Sequence, residues 1–152
     1  MELTIKGKKA YAYTGGKSFD ASLPTVVFCH GGQHDHSVWI LQSRYLAHHG
    51  YGVLAFDLPG HGRSEGPALA RIEDLADWIA AVLDAAGVKQ ASVVGHSMGS
   101  LIALECAARH PARLAKIALL ATAYPMKVSA ELLDATKNNE PLAQDMVNIW
   151  SH

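Results

Sequence analysis

A short apolar run, Ala91-Ser92-Val93-Val94, leads directly into Gly95-His96-Ser97-Met98-Gly99. The β-branched residues before this pentapeptide predict a strand, and the apolar stretch from Ser100 to Arg109 predicts a helix. A chain that goes from strand to helix across Gly-x-Ser-x-Gly does so through a sharp turn. Such a turn holds the serine in a strained backbone conformation with its hydroxyl exposed above the sheet. Glycines two residues to either side let strand and helix approach without Cβ clashes. The pattern alone is common. Its strand–turn–helix setting is what makes Ser97 a candidate nucleophile rather than a tight structural turn.

The rest of the chain alternates in the same way. Residues 1–14 alternate around Lys6-Gly7-Lys8, which predicts a β-hairpin at a sheet edge. Thr25 to Cys29 and Gly52 to Phe56 are continuous apolar runs, as expected of strands covered on both faces. Between them Val38 to His49 predicts a helix, with Ser37 as its N-cap and Gly50 as its stop. The clearest helix runs from Ile72 to Ala86, where Ile72, Leu75, Ala76, Ile79, Val82 and Leu83 form one stripe that Gly87 closes. Pro111 ends the helix behind Ser97, and Ala115 to Leu120 is expected as a further buried strand. This alternation predicts an α/β fold, a three-layer sandwich with a mostly parallel sheet. After Tyr124-Pro125 the pattern changes. Ser129 to Thr136 and Pro141 to Trp150 predict two amphipathic helices with no strand between them, and Leu142, Met146, Ile149 and Trp150 form an apolar face on the second.

Composition narrows the class of partner. With 152 residues, 49% hydrophobic and 18% charged, the chain is long enough to bury one real core. A net charge of −1 gives no electrostatic footprint for nucleic acid or an anionic membrane. No apolar run reaches the ~20 residues of a membrane span, and the N-terminus lacks the apolar centre of a signal peptide. Cys29 and Cys106 both lie in apolar runs and read as buried thiols, which points to a reducing cytoplasm.

Three segments then fall at the carboxyl ends of predicted strands, where open α/β sheets place their sites. They are His30-Gly31-Gly32-Gln33, Asp57-Leu58-Pro59-Gly60-His61-Gly62-Arg63-Ser64, and the Gly95–Gly99 turn. In this order and spacing they resemble the α/β-hydrolase superfamily, from about Leu3 to Thr122, with the two later helices resembling the start of a cap domain. The resemblance implies that Ser97 is the nucleophile and that its proton passes to a hydrogen-bonded histidine. It implies an oxyanion hole formed by the backbone N–H groups of Met98 and Gly32, worth roughly 3–4 kcal/mol each in comparable sites. His30 is expected to brace the oxyanion loop. Asp57, Gly60, Gly62 and Ser64 are expected to form a turn scaffold, and His96 to pack beside the nucleophile. His34-Asp35-His36 lacks the wider ligand set of a metal site and reads as a polar loop. No cofactor and no metal is expected, only a small-molecule acyl substrate. A serine at this position also argues against the family's epoxide hydrolases and haloalkane dehalogenases, which use aspartate there.

The triad acid and histidine have no counterpart in this chain. Glu105 and His110 belong to the helix behind Ser97, Glu131, Asp134, Glu140 and Asp145 to the last two helices, and His152 ends the chain. Residues 1–124 are thus expected to form the N-terminal part of an α/β-hydrolase core, truncated before its last strands, and residues 125–152 the start of a helical cap. The strand from Ala115 to Leu120 would leave an open apolar edge, a possible site of self-association. Two functions follow from the resemblance: a serine hydrolase of esters, lactones or related acyl bonds, or an incompetent module that binds a ligand or partner.

Overall fold

Lys6 and Gly7 both take positive φ, 48° and 77°, the two-residue geometry that joins strands of right-handed twist. They close a hairpin of β1 (Glu2–Ile5) and β2 (Lys8–Tyr13), as the alternation predicts. In the computed structural model, residues 1–150 are described, Trp150 by its backbone alone. Four strands follow the hairpin: β3 (Thr25–Cys29), β4 (Gly52–Phe56), β5 (Ala91–His96) and β6 (Leu114–Leu120). They join it in a six-stranded sheet of order β1-β2-β4-β3-β5-β6. Pairing is antiparallel from β1 to β4 and parallel from β4 through β3 and β5 to β6.

Side chains of the central strands sort to two faces by the strand period of two. Val27 and Cys29 of β3 and Leu54 and Phe56 of β4 point into the larger core. Their neighbours Val26, Phe28, Val53 and Ala55 belong to a second core. The larger core is closed by α2 (Ile72–Ala85), through Leu75, Ile79, Val82 and Leu83, and by α3 (Met98–Arg109), through Ile102, Ala103 and Cys106. The second is closed by α1 (Ile40–His48) and the 3₁₀ turn before it, through Ala47 and Trp39. The helix–sheet–helix layering follows from the continuous apolar runs, because each central strand has two faces to bury. Both cysteines are free and buried. Burial pushes the Cys106 thiol up to about 12 and raises that of Cys29 well above its ordinary value.

Several local expectations change. Ser37 is not a cap: Asp35 is, its carboxylate accepting the Ser37 amide at 2.7 Å to start a 3₁₀ turn over His36–Trp39. The helix after the serine begins at Met98 rather than Ser100, with no residue spared between turn and helix. β6 is the open apolar edge expected of it, not a strand buried on both faces. Every residue of it after Leu114 is exposed, Leu119 at 38% and Leu120 at 41%. Among the described residues, only β5 flanks it in the sheet. An apolar run records that a strand favours cover, and the neighbours that would provide it are a separate matter.

Contacts within the chain divide it into two units, Met1–Thr122 and a second starting at Ala123. The second holds α4 (Ala130–Asn138) and α5 (Glu140–Trp150). Ser129 Oγ accepts the Leu132 amide at 3.1 Å and caps α4, while the Asn139 side chain takes the Leu142 amide at 3.3 Å. Ala135 and Ala143 are buried, but Leu142 and Ile149 of the expected apolar face are exposed. The Trp150 side chain and His152 lie outside the described residues. Among the described residues, no helix is long and apolar enough to cross a membrane.

Candidate active site

The chain leaves β3 through α1 to reach β4 on one side, then returns through α2 to β5 on the other side of β3. Connections that diverge in this way open a crevice at the carboxyl end of the central strands. The register pairs Cys29 with Gly95. The loop after β3 and the turn after β5 therefore begin side by side.

Ser97 occupies that turn at φ 53°, ψ −122°, a conformation that costs a residue with a side chain about 1–3 kcal/mol. Its surroundings enforce it. Ser97 N–H donates to the Leu120 carbonyl at the end of β6, 3.0 Å, and Ser97 C=O accepts from the Ser100 amide at 2.8 Å. The buried Ser100 hydroxyl donates to the same carbonyl. A Cβ on Gly95 would overlap the backbone of Gly99, and one on Gly99 would overlap that of Cys29. Close approach of strand and helix is what demands both glycines. Met98 is the first residue of α3, so its amide has no acceptor within the helix and sits at the positive end of the dipole.

The loop after β3 lies against this turn. A Cβ on Gly31 would stand 3.2 Å from Ser97 Cβ, whereas one on Gly32 would meet nothing within 4 Å. Gln33 turns the loop at φ 63°, which no feature of the sequence announces. Beneath the loop the fully buried His30 donates from Nδ1 to the Gly31 carbonyl at 2.7 Å and accepts the Leu58 amide at Nε2, 3.0 Å. A carbonyl only accepts and an amide only donates, so these partners define the neutral tautomer. His30 thereby ties the β3 loop to the end of β4. Burial, its main perturbation, lowers its pKa from the ordinary 6.5. Below that value the unfolded chain takes up a proton that folded His30 refuses, so this contribution to stability is complete above 6.5 and declines on acidification. Urea midpoints measured from about pH 7.5 to about pH 5.5 will fall, and will fall less in His30→Gln.

Asp57 is also fully buried. Its Oδ1 accepts from the His36 amide and from His36 Nδ1, each at 2.7 Å, and its Oδ2 accepts from the Arg63 amide at 2.8 Å. Ser64 Oγ donates to the Asp57 carbonyl at 2.6 Å and accepts the Tyr11 amide at 2.9 Å. Gly62, at φ 51°, wraps so closely that a Cβ would strike the Asp57 carboxylate. Asp35, His36 and Asp57 bring possible ligand atoms within 4.8 Å of one another. Their oxygens are already spent on Ser37, His36 and Arg63 amides, so the cluster reads as scaffold.

Carboxylates and histidines downstream of Ser97 in the first unit are engaged elsewhere. Asp77 of α2 binds Arg109 at 2.8 Å and His110 at 2.7 Å, and these partners hold its pKa down to about 2. Glu105 lies 4.0 Å from Arg109. Two histidines stand near Ser97: His96, which is expected from the sequence to pack there, and His34, which reads from it only as part of a polar loop. His34 Nδ1 and His96 Nδ1 each lie 3.4 Å from the point where a Gly31 Cβ would be.

A sequence profile of the alpha/beta hydrolase fold matches residues 24–148. This chain belongs to the α/β-hydrolase family. The α/β-hydrolase is 39% identical over 112 residues to the dihydrolipoyllysine-residue acetyltransferase component of the acetoin cleaving system of Cupriavidus necator, covering 72% of this chain and 28% of that protein. It is 36% identical over 118 residues to epoxide hydrolase B of Mycobacterium tuberculosis, covering 76% and 33%. Among solved structures, Est816, an N-acyl homoserine lactone degrading enzyme, superposes with a TM-score of 0.76 at 30% identity, over 94% of this chain and 54% of that one. The α/β-hydrolase described here thus spans about a third of the length of those curated relatives.

Proposed function

We propose that this α/β-hydrolase is a serine hydrolase that cleaves an ester, lactone or related acyl bond through an acyl-enzyme on Ser97. The observation that carries the reading is Ser97 itself, held at φ 53°, ψ −122° between strand and helix with Gly31 alongside. Ser97 Oγ adds to the acyl carbon, and the amides of Met98 and Gly32 stabilise the oxyanion. The alcohol departs with a proton, and water then releases the acid and restores the serine. Serine in place of aspartate favours acyl transfer over epoxide opening. The two helices α4 and α5 fit the start of a cap, and the free buried thiols favour a reducing compartment.

No described residue is assigned as the proton acceptor, so the chain by itself reacts slowly. Intact-mass measurement will show an alkyl fluorophosphonate adding once, at Ser97, with added imidazole speeding the reaction by supplying a base. Ser97→Ala will not be labelled. A chain left unlabelled even with imidazole present overturns the reading and favours a binding module.

A further inference from the structure

The Ser97 carbonyl takes two donors where one would satisfy it. The Ser100 amide reaches it at 2.8 Å, and the Ser100 hydroxyl donates to it as well. A carbonyl only accepts, so the hydroxyl proton points at it. Ser100 is fully buried, in a helix whose Ile102 and Ala103 enter the larger core. Alanine at that position would favour the helix more and would bury no polar group. Serine there breaks the local rule, and such breaks collect at functional sites.

The group that the hydroxyl touches gives its use. The Ser97 carbonyl and the Met98 amide are the two ends of one planar, conjugated peptide group. Met98 begins α3, and its N–H finds no acceptor among the described residues. A donor at the carbonyl draws electron density toward the oxygen. That leaves the N–H at the other end a stronger donor, by about 10–30% per bond. Two bonds from one buried residue also fix the plane of the group. The direction of the Met98 N–H is thus set from behind, by a side chain with no exposed surface.

We infer that Ser100 is a positioning residue of the oxyanion hole. Its hydroxyl orients the Ser97–Met98 peptide and strengthens the Met98 N–H toward the oxyanion. This rests on the reading of Ser97 as nucleophile and of Met98 as oxyanion donor. A hydroxyl that merely satisfied itself on a nearby carbonyl would add stability and leave the reaction rate of the folded chain unchanged.

Fluorophosphonate labelling in imidazole tests it, followed to completion by intact mass where urea unfolding shows every chain fully folded. Ser100→Ala keeps the backbone donor and loses only the hydroxyl. It will still reach one adduct per chain, but about twofold to eightfold more slowly, a tenth to three-tenths of what one oxyanion donor contributes. Ser100→Cys, close in shape with a weaker donor, will fall between. The Met98 amide ¹⁵N resonance responds to hydrogen bonding at the carbonyl before it and will move upfield in Ser100→Ala. A labelling rate in Ser100→Ala equal to the parent's, or an unmoved Met98 resonance, overturns the inference and leaves Ser97 as the nucleophile. A parent chain that is never labelled removes the nucleophile reading, and the role of Ser100 falls with it.

Discussion

Gly99→Ala will lower the unfolding free energy by about 4 kcal/mol or more, enough to leave a chain of ordinary marginal stability partly unfolded. The added methyl would land on the backbone carbonyl of Cys29 and 2.7 Å from the carbonyl oxygen of His30. Neither can yield. Cys29 is fully buried at the end of a central strand, and α3 packs its Ile102, Ala103 and Cys106 into the larger core. Relief requires moving the helix away from the sheet, which opens the core and loosens the Ser97 turn together. Gly32→Ala is the matched control. Its methyl meets nothing within 4 Å and its φ is ordinary, so its stability will stay within about 0.5 kcal/mol of the parent. Urea unfolding followed by tryptophan fluorescence measures both. Similar losses in the two variants would rule out close approach as the reason for Gly99.

Asp57→Ala will cost about 3–5 kcal/mol. The fully buried carboxylate accepts two backbone amides, of His36 and Arg63, as well as the His36 ring. Removing it leaves those donors unpaired and opens a hole inside the turn that Gly62 closes. Asp57→Asn keeps the shape and can still accept at one oxygen, but its NH₂ must face a donor. It will cost about 1–2 kcal/mol by the same measurement. An alanine variant as stable as the asparagine one would show that the hydrogen bonds matter little. Fluorophosphonate labelling of Ser97 should also slow in Asp57→Ala, because the scaffold positions the His36 end of the loop that runs against Ser97.

Much of the site was legible because its residues carry local constraints. Gly95, Ser97 and Gly99 announce a turn that only a strand and a helix in close approach require. The stripe from Leu75 to Leu83 predicts its own buried face. His34 was not legible, since a histidine in a polar loop looks the same whether it faces water or Ser97. Its placement depends on the positive φ of Gln33 and on β3 pairing with β5. The open apolar edge at β6 was expected, but not that Ile117, Leu119 and Leu120 would all be exposed, because such a run fits a buried strand as well as an edge.

The sequence by itself determined the α/β alternation, the strained serine and the family to which both belong. Those features arise from hydrophobic period and from backbone sterics between near neighbours in the chain. The tertiary structure alone decided that His30 bridges Gly31 to Leu58, that Asp57 is spent on His36 and Arg63, and that His34 and Ser97 both lie against Gly31. Strand order brings Asp57 to His36 across 21 positions of sequence, His30 to Leu58 across 28 and Gly31 to Ser97 across 66, and the spacing of residues along the chain carries no record of which strand ends will meet.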